Sequence, residues 1–152
     1  MTAFEMAMRP LKKYFDFAGR ASRSEFWFFF FFVLVIQAVA RIVDGVLGLG
    51  FVLPGPFSIL AAVLLFAPQL AVTVRRLHDV NSSGRELLVP CLMLLALPVF
   101  VVFRGLIAGI VALGYYGVVL MVFAHVFLLL IKQGSKTPNR YGASPRAFSF
   151  AR

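Results

Sequence analysis

Four long apolar runs divide the chain: Phe26–Val43, Phe57–Val74, Leu87–Phe103 and Gly105–Ile131. The first three hold 18, 18 and 17 residues, at the short end of the roughly 17–25 that carry a helix across a bilayer. The fourth is longer and predicts a tilted, kinked or extended helix. Asp44–Pro56, rich in glycine and proline, reads as an outer turn. Arg104 alone parts the third run from the fourth. One helix through both would overrun any bilayer, so a tight hairpin near Phe103–Gly109 is expected. The pattern predicts an all-α membrane protein, a bundle of four transmembrane helices. Residues 1–145 form one integral membrane domain, and 146–152 a loose cytoplasmic tail. Tyr14, Phe15 and Phe17 alternate with basic and small residues and add a short interfacial N-terminal segment. Trp27, within the aromatic string Phe26–Phe32, suits a belt at the inner membrane interface.

Composition removes the soluble alternative. Hydrophobic residues make up 61% of the chain and charged residues 14%, against roughly 45–50% and 25% in soluble domains. A small soluble domain exposes too much of its surface to hide that excess. The first apolar run begins only at Phe26 and continues at full membrane length, which argues against a cleavable signal peptide. Cys91 is the single cysteine and lies in an apolar run, where a thiol packs as a small hydrophobe.

Charge then orients the bundle. Of 15 Lys and Arg residues, 13 fall in three segments: before the first run, between the second and third, and after the fourth. Four spans put all three segments on one side, and the positive-inside rule makes that side cytoplasmic, with both termini. Because these cations sit between and beyond apolar runs, anionic lipid headgroups suit them better than nucleic acid.

Three polar signatures interrupt the apolar text. In the first, Phe15 to Trp27, Ser22 and Glu25 have capping-box spacing at the entry to the first span. Gly19 supplies the bend into that helix, and Arg20 and Arg23 remain for phosphate groups. In the second, Arg75-Arg76-Leu77-His78-Asp79 precedes Asn81 to Glu86, where Ser83 and Glu86 repeat the capping spacing. Asp79 lies within helical reach of Arg75 and Arg76. The third, Gly134 to Gly142, reads as a turn-rich hook on the cytoplasmic face. Its Gly-Ser-Lys-Thr lacks the first glycine and the strand-to-helix setting of a phosphate loop. Within the membrane, Pro68 frees a backbone carbonyl one turn earlier, which a neighbour or water must satisfy. Gln69, Thr73 and Arg76 share a face of the second span, and His125 lies in the inner part of the fourth. Arg41 and Asp44, three apart, are expected to pair or reach the headgroups.

These signatures, in this order and with these spacers, resemble the bacterial inner-membrane family called domain of unknown function 805. That family shows an F-x-G-R-x-S-R-x-E-F-W entry, a P…R-R-L-H-D…S-G-W centre and an N-R-Y-G-x-x-P tail. Arg20, Arg23, Phe26 and Trp27 fit the first; Pro68, Arg75 to Asp79, Ser83 and Gly84 the second; Asn139 to Gly142 and Pro145 the third. Arg85 departs from the pattern, standing where the family has tryptophan. The resemblance implies a small multi-span protein of the bacterial inner (plasma) membrane with no assigned activity.

Arg20, Arg23, Arg75, Arg76, His78, Asp79 and Arg140 are the candidate anion- or partner-binding residues, with Ser22, Glu25, Ser83 and Glu86 as helix caps. The leading expectation is binding of anionic lipid, a membrane-protein partner or a second copy through a basic cytoplasmic face. A small transporter or channel subunit would need Gln69, Thr73 and His125 on one polar path. A membrane-embedded enzyme would centre on His78 and Asp79. No catalytic constellation, metal site or cofactor is expected, because acids are scarce and no ligand cluster is present.

Overall fold

A computed structural model of the chain describes residues 2–50, 53–94 and 106–145. Helix α1 (Ala3–Lys12) starts on a reciprocal cap, with the Thr2 hydroxyl accepting from the Glu5 amide and Glu5 from that of Thr2. It packs chiefly on α2 (Arg23–Val46) and also touches α3 (Pro56–Asp79). After a short 3-10 turn at Gly84–Leu87, residues 88–94 are helical, and α4 (Leu106–Ile131) follows. Among the described residues, three helices are long and apolar enough to span a membrane: Arg23–Val46, Pro56–Asp79 and Gly109–Ile131. Each of the first two is 24 residues long, or about 36 Å at 1.5 Å per residue. The expected third span is described only to residue 94. Its remainder, the first part (103–105) of the expected hairpin near Phe103–Gly109 and the tail 146–152 lie outside the described residues, and 106–109 already belong to α4.

The helices exceed the apolar runs because caps and turns extend them. Ser22 accepts from the Glu25 amide at 3.1 Å and starts α2 three residues before Phe26. At its far end Gly48 takes a left-handed conformation (φ 68°), which lets the Leu49 amide return to the Asp44 carbonyl at 2.8 Å. Asn81 (φ 62°) does the same for α3, with the Ser82 amide on the Leu77 carbonyl at 3.0 Å. Asp44, expected to pair with Arg41 or reach the headgroups, caps the next helix. Fully buried, it accepts the Phe57 and Ser58 amides at 3.0 and 2.9 Å, capping α3 where Gly55 offers no side chain. A carboxylate there also meets the positive end of the helix dipole.

The core sits at the opposite end. Ala21, Phe26, Phe29, Val72, Leu77, Val126 and Leu130 form one buried cluster, joining the start of α2 to the ends of α3 and α4. Trp27 packs against it, its ring 5.1 Å from Phe26 and 6.2 Å from Phe127. The interfacial segment is more deeply tied in than its sequence suggests. Phe15 and Phe17 are exposed, but the Tyr14 hydroxyl donates to the Leu64 carbonyl. Leu64 is the residue four before Pro68, so tyrosine satisfies the carbonyl that proline leaves without an amide.

Candidate functional site

All three polar signatures meet at the core end and form a buried clasp. The Ala21 amide donates to the Arg75 carbonyl (3.0 Å), bringing the first signature onto the last turn of α3. The Ser135 amide donates to the Asp79 carbonyl (3.0 Å), bringing the hook onto the same turn. Gly134 permits this approach: a Cβ there would lie 1.8 Å from Asp79 Oδ2.

Two carboxylates organise four arginines. Asp79 Oδ1 accepts from Arg20 Nη2 (2.7 Å) and Nε (3.0 Å), and Oδ2 from Arg76 Nη1. Glu25 Oε1 accepts from Arg75 Nη1 at 2.9 Å, while Oε2 lies 3.4 Å from Arg9 Nη1. Arg20, Arg75, Arg76, Glu25 and Asp79 are all buried, and a charge taken out of water needs both a counter-charge and hydrogen bonds. Arg76 finds the rest of its acceptors at the end of α4, donating to the Leu130 carbonyl at 3.1 Å and to that of Lys132. Those carbonyls lack amide partners of their own and carry the negative end of the helix dipole. Arg20 donates to the carbonyls of Ser135 (2.5 Å), Thr137 (3.0 Å) and Gly142 (3.3 Å), holding the hook closed.

Around this centre the remaining motif residues lock the hook from outside. His78 stacks on Tyr141 with centroids 3.8 Å apart and planes 4° apart, and its Nδ1 lies 3.1 Å from the Gly19 carbonyl. Asn139 donates to the His78 carbonyl at 2.8 Å. Arg140, exposed, donates to the Asn81 carbonyl at 3.1 Å and lies over the Tyr141 ring at 4.8 Å. Further out, Lys13 and Asp16 pair at 2.8 Å, and that hydrogen bond holds the Asp16 carboxyl below the usual carboxylate range.

The geometry redistributes the residues singled out by sequence. Arg20, Arg75 and Arg76, expected on an exposed anion-binding face, are interior, because each has an internal carboxylate. Arg23 is partly exposed at the start of α2, and Arg140 stands at the rim. Ser22 caps α2, but Glu25 turns inward to Arg75 instead of back to Ser22. Ser83 and Glu86 likewise form no reciprocal cap. Ser83 Oγ accepts from the Arg85 amide at 3.0 Å, and the Glu86 carboxylate faces His125 at 3.8 Å. The 3-10 winding explains this, since it draws the Glu86 amide to the Ser83 carbonyl instead (3.1 Å). Of the residues of the polar-path reading, Thr73 donates to the Gln69 carbonyl at 2.6 Å, and His125 is largely exposed beside Glu86. His78 and Asp79 turn to different partners, one to an aromatic ring and the other to two guanidinium groups. Sequence reading missed Arg9, Tyr14 and Gly134. A cap signal for α1 stood at Thr2 and Glu5, but nothing local tied Arg9 to Glu25.

The family model for protein of unknown function DUF805 matches residues 14–143, from Tyr14 through the hook. The chain belongs to that family. Over 137 residues it is 33% identical to the inner membrane protein YhaI of Escherichia coli strain K12, covering 90% of this chain and 91% of that protein. Over 80 residues it is 36% identical to the inner membrane protein YhaH of the same strain, covering 51% of this chain and 64% of that protein. No solved structure matches the chain. This DUF805 chain is an inner-membrane protein with membrane-type helices, and the clasp is where its signatures meet.

Proposed function

We propose that this DUF805 protein is a four-span protein with a cytoplasmic clasp end, which binds anionic lipid through a collar of exposed cations around that clasp. The collar carries the reading. Lys12, Arg85, Lys132, Lys136 and Arg140 are exposed, and no carboxylate lies within ion-pair distance of any of them among the described residues. The buried arginines consume Glu25 and Asp79, so the collar keeps its charge for the headgroups. Each exposed cation near an anionic leaflet contributes on the order of 1 kcal/mol.

The contacts support a fourth crossing. Arg20, Arg76 and the hook meet at one end, and a crossing between Asp79 and the start of α4 accounts for α4 ending there too. Glu86 faces His125, and the Met93 carbonyl accepts from Tyr115. Residue numbers rise on one side as they fall on the other, so the stretch 86–93 climbs antiparallel to α4.

With Cys91 replaced by alanine, cysteines at Ser82 and Thr137 are expected to resist an impermeant thiol reagent in intact cells, and one at Leu53 to react. Labelling at Thr137 without Leu53 would invert the topology. Neutralising Lys12, Arg85, Lys132 and Lys136 to glutamine is expected to cut phosphatidylglycerol retention, read by native mass spectrometry, at least about tenfold. Unchanged retention would leave the collar as a topology signal only.

A further inference from the structure

The four clasp arginines are not equally satisfied. Arg20 and Arg76 each combine an Asp79 oxygen with backbone carbonyls. Arg75 is 1% exposed and has one acceptor, Glu25 Oε1 at 2.9 Å. Its Nε and Nη2 are buried and have no hydrogen-bond partner. A guanidinium carries five donors in a fixed fork, and the three on Nε and Nη2 are left without acceptors in a buried setting, which is costly.

The chain has no side-chain carboxylate left to offer. It holds six acids, and each is committed. Glu5 caps α1, Asp16 takes Lys13 and the Ala18 amide, Asp44 caps α3 at the far end, and Asp79 holds Arg20 and Arg76. Glu86 faces His125, and Glu25 is shared with Arg9. The clasp therefore sets four buried or half-buried guanidinium groups against two carboxylates. The residual charge and the open donors coincide at Arg75.

We infer that Arg75, with Arg9 beside it, forms a binding site for one phosphate-type oxyanion. Two oxygens of such a group accept from Nε and Nη2 of Arg75, the paired geometry that guanidinium offers and ammonium does not. Arg9 is the movable wall. Its side chain is 40% exposed and its contact with Glu25 is long, at 3.4 Å, so it can turn from Glu25 toward the incoming anion. Arg75 lies one turn before the end of α3, and Tyr14, Phe15 and Phe17 lie in the segment that leads to Ala21 over it. The same chemistry is offered by the phosphodiester of a lipid headgroup and by free inorganic phosphate. This site deepens the lipid reading above but is separate from the collar, because it is buried and takes one anion.

The full chain in phosphatidylcholine nanodiscs is compared across rising phosphatidylglycerol content in one arm and rising inorganic phosphate in the other, with the thermal unfolding midpoint as readout. A saturable rise is expected in at least one arm, surviving about 0.3 M salt, where screening removes most exposed-charge effects. A rise with phosphatidylglycerol alone assigns the headgroup, and a rise with phosphate assigns the free anion. Arg75→Lys keeps the charge and loses the fork, and is expected to bind about tenfold more weakly. Lys132→Gln with Lys136→Gln thins the collar and is expected to leave this binding intact. No saturable rise in either wild-type arm overturns the site. So does equal affinity in an Arg75→Lys protein of unchanged helicity, or loss of binding in the collar variant. If Arg75→Lys does not fold, the wild-type and collar titrations decide alone.

Discussion

Asp79→Asn is expected to lower the stability of the detergent-solubilised protein by roughly 3–5 kcal/mol, the cost of removing one partner from a buried ion pair. Asparagine keeps the shape and one acceptor oxygen, but it turns an amide N–H toward a guanidinium group and removes the carboxylate shared by Arg20 and Arg76. Both arginines would stay buried, because their other donors are tied to the carbonyls of α4 and the hook. The damage should therefore spread to three chain segments at once. Asp16→Asn is the internal control. Asp16 makes an ion pair of similar length with Lys13, at 2.8 Å, but both side chains are 40% exposed. Exposed pairs contribute about 0–1 kcal/mol, so this variant should unfold close to wild type. Thermal unfolding of the two variants in the same detergent measures the contrast. Equal losses would mean that the clasp is solvated and that burial does not set its strength.

The contrast also marks what the sequence could reveal. Apolar runs report lipid directly, so three membrane helices stood out with their ends within a few residues. Arg76 and Asp79 are three apart on a helix, and a local spacing rule finds such a pair. Pro68 announced a carbonyl without an amide, although only the structure supplied Tyr14 as its donor. Arg75 is equally within helical reach of Asp79, so local spacing could not say which of the two arginines would take it. Sequence offered no means of finding that Arg75 would take Glu25, fifty positions away. Glu25 itself was misleading, because its capping spacing was real while its carboxylate was claimed by a tertiary partner. A cluster of arginines read as surface charge for the same reason: burial is set by which carboxylates and carbonyls arrive from elsewhere. The hook gives no periodic signal, and its closure depends on carbonyls, which every residue possesses.

Gly134→Ala should be the second most damaging change, by a different mechanism. A Cβ at this position would sit 1.8 Å from Asp79 Oδ2 and 2.4 Å from its Cγ, well inside any permitted contact. The usual relief, rotation of the offending side chain, is blocked. Both Asp79 oxygens are held by arginines, and its backbone carbonyl is held by the Ser135 amide. Either the hook lifts away from α3 or the carboxylate leaves its arginines, so a loss of at least about 1–3 kcal/mol is expected, the range for overpacking. Gly117→Ala is the counterpart in the interior of α4, where nothing lies within 4 Å of the new methyl. It should be neutral or stabilising by roughly 0.5–1 kcal/mol, because alanine gives up less entropy in a helix. The decisive measurement is the double variant. Once Asp79→Ala has removed the carboxylate, an alanine at 134 loses its three nearest obstacles, and its added cost should fall steeply. That non-additivity is expected only if the two residues touch as described. Simple addition of the two losses would show that Gly134 matters for its backbone freedom and not for the space it leaves beside Asp79.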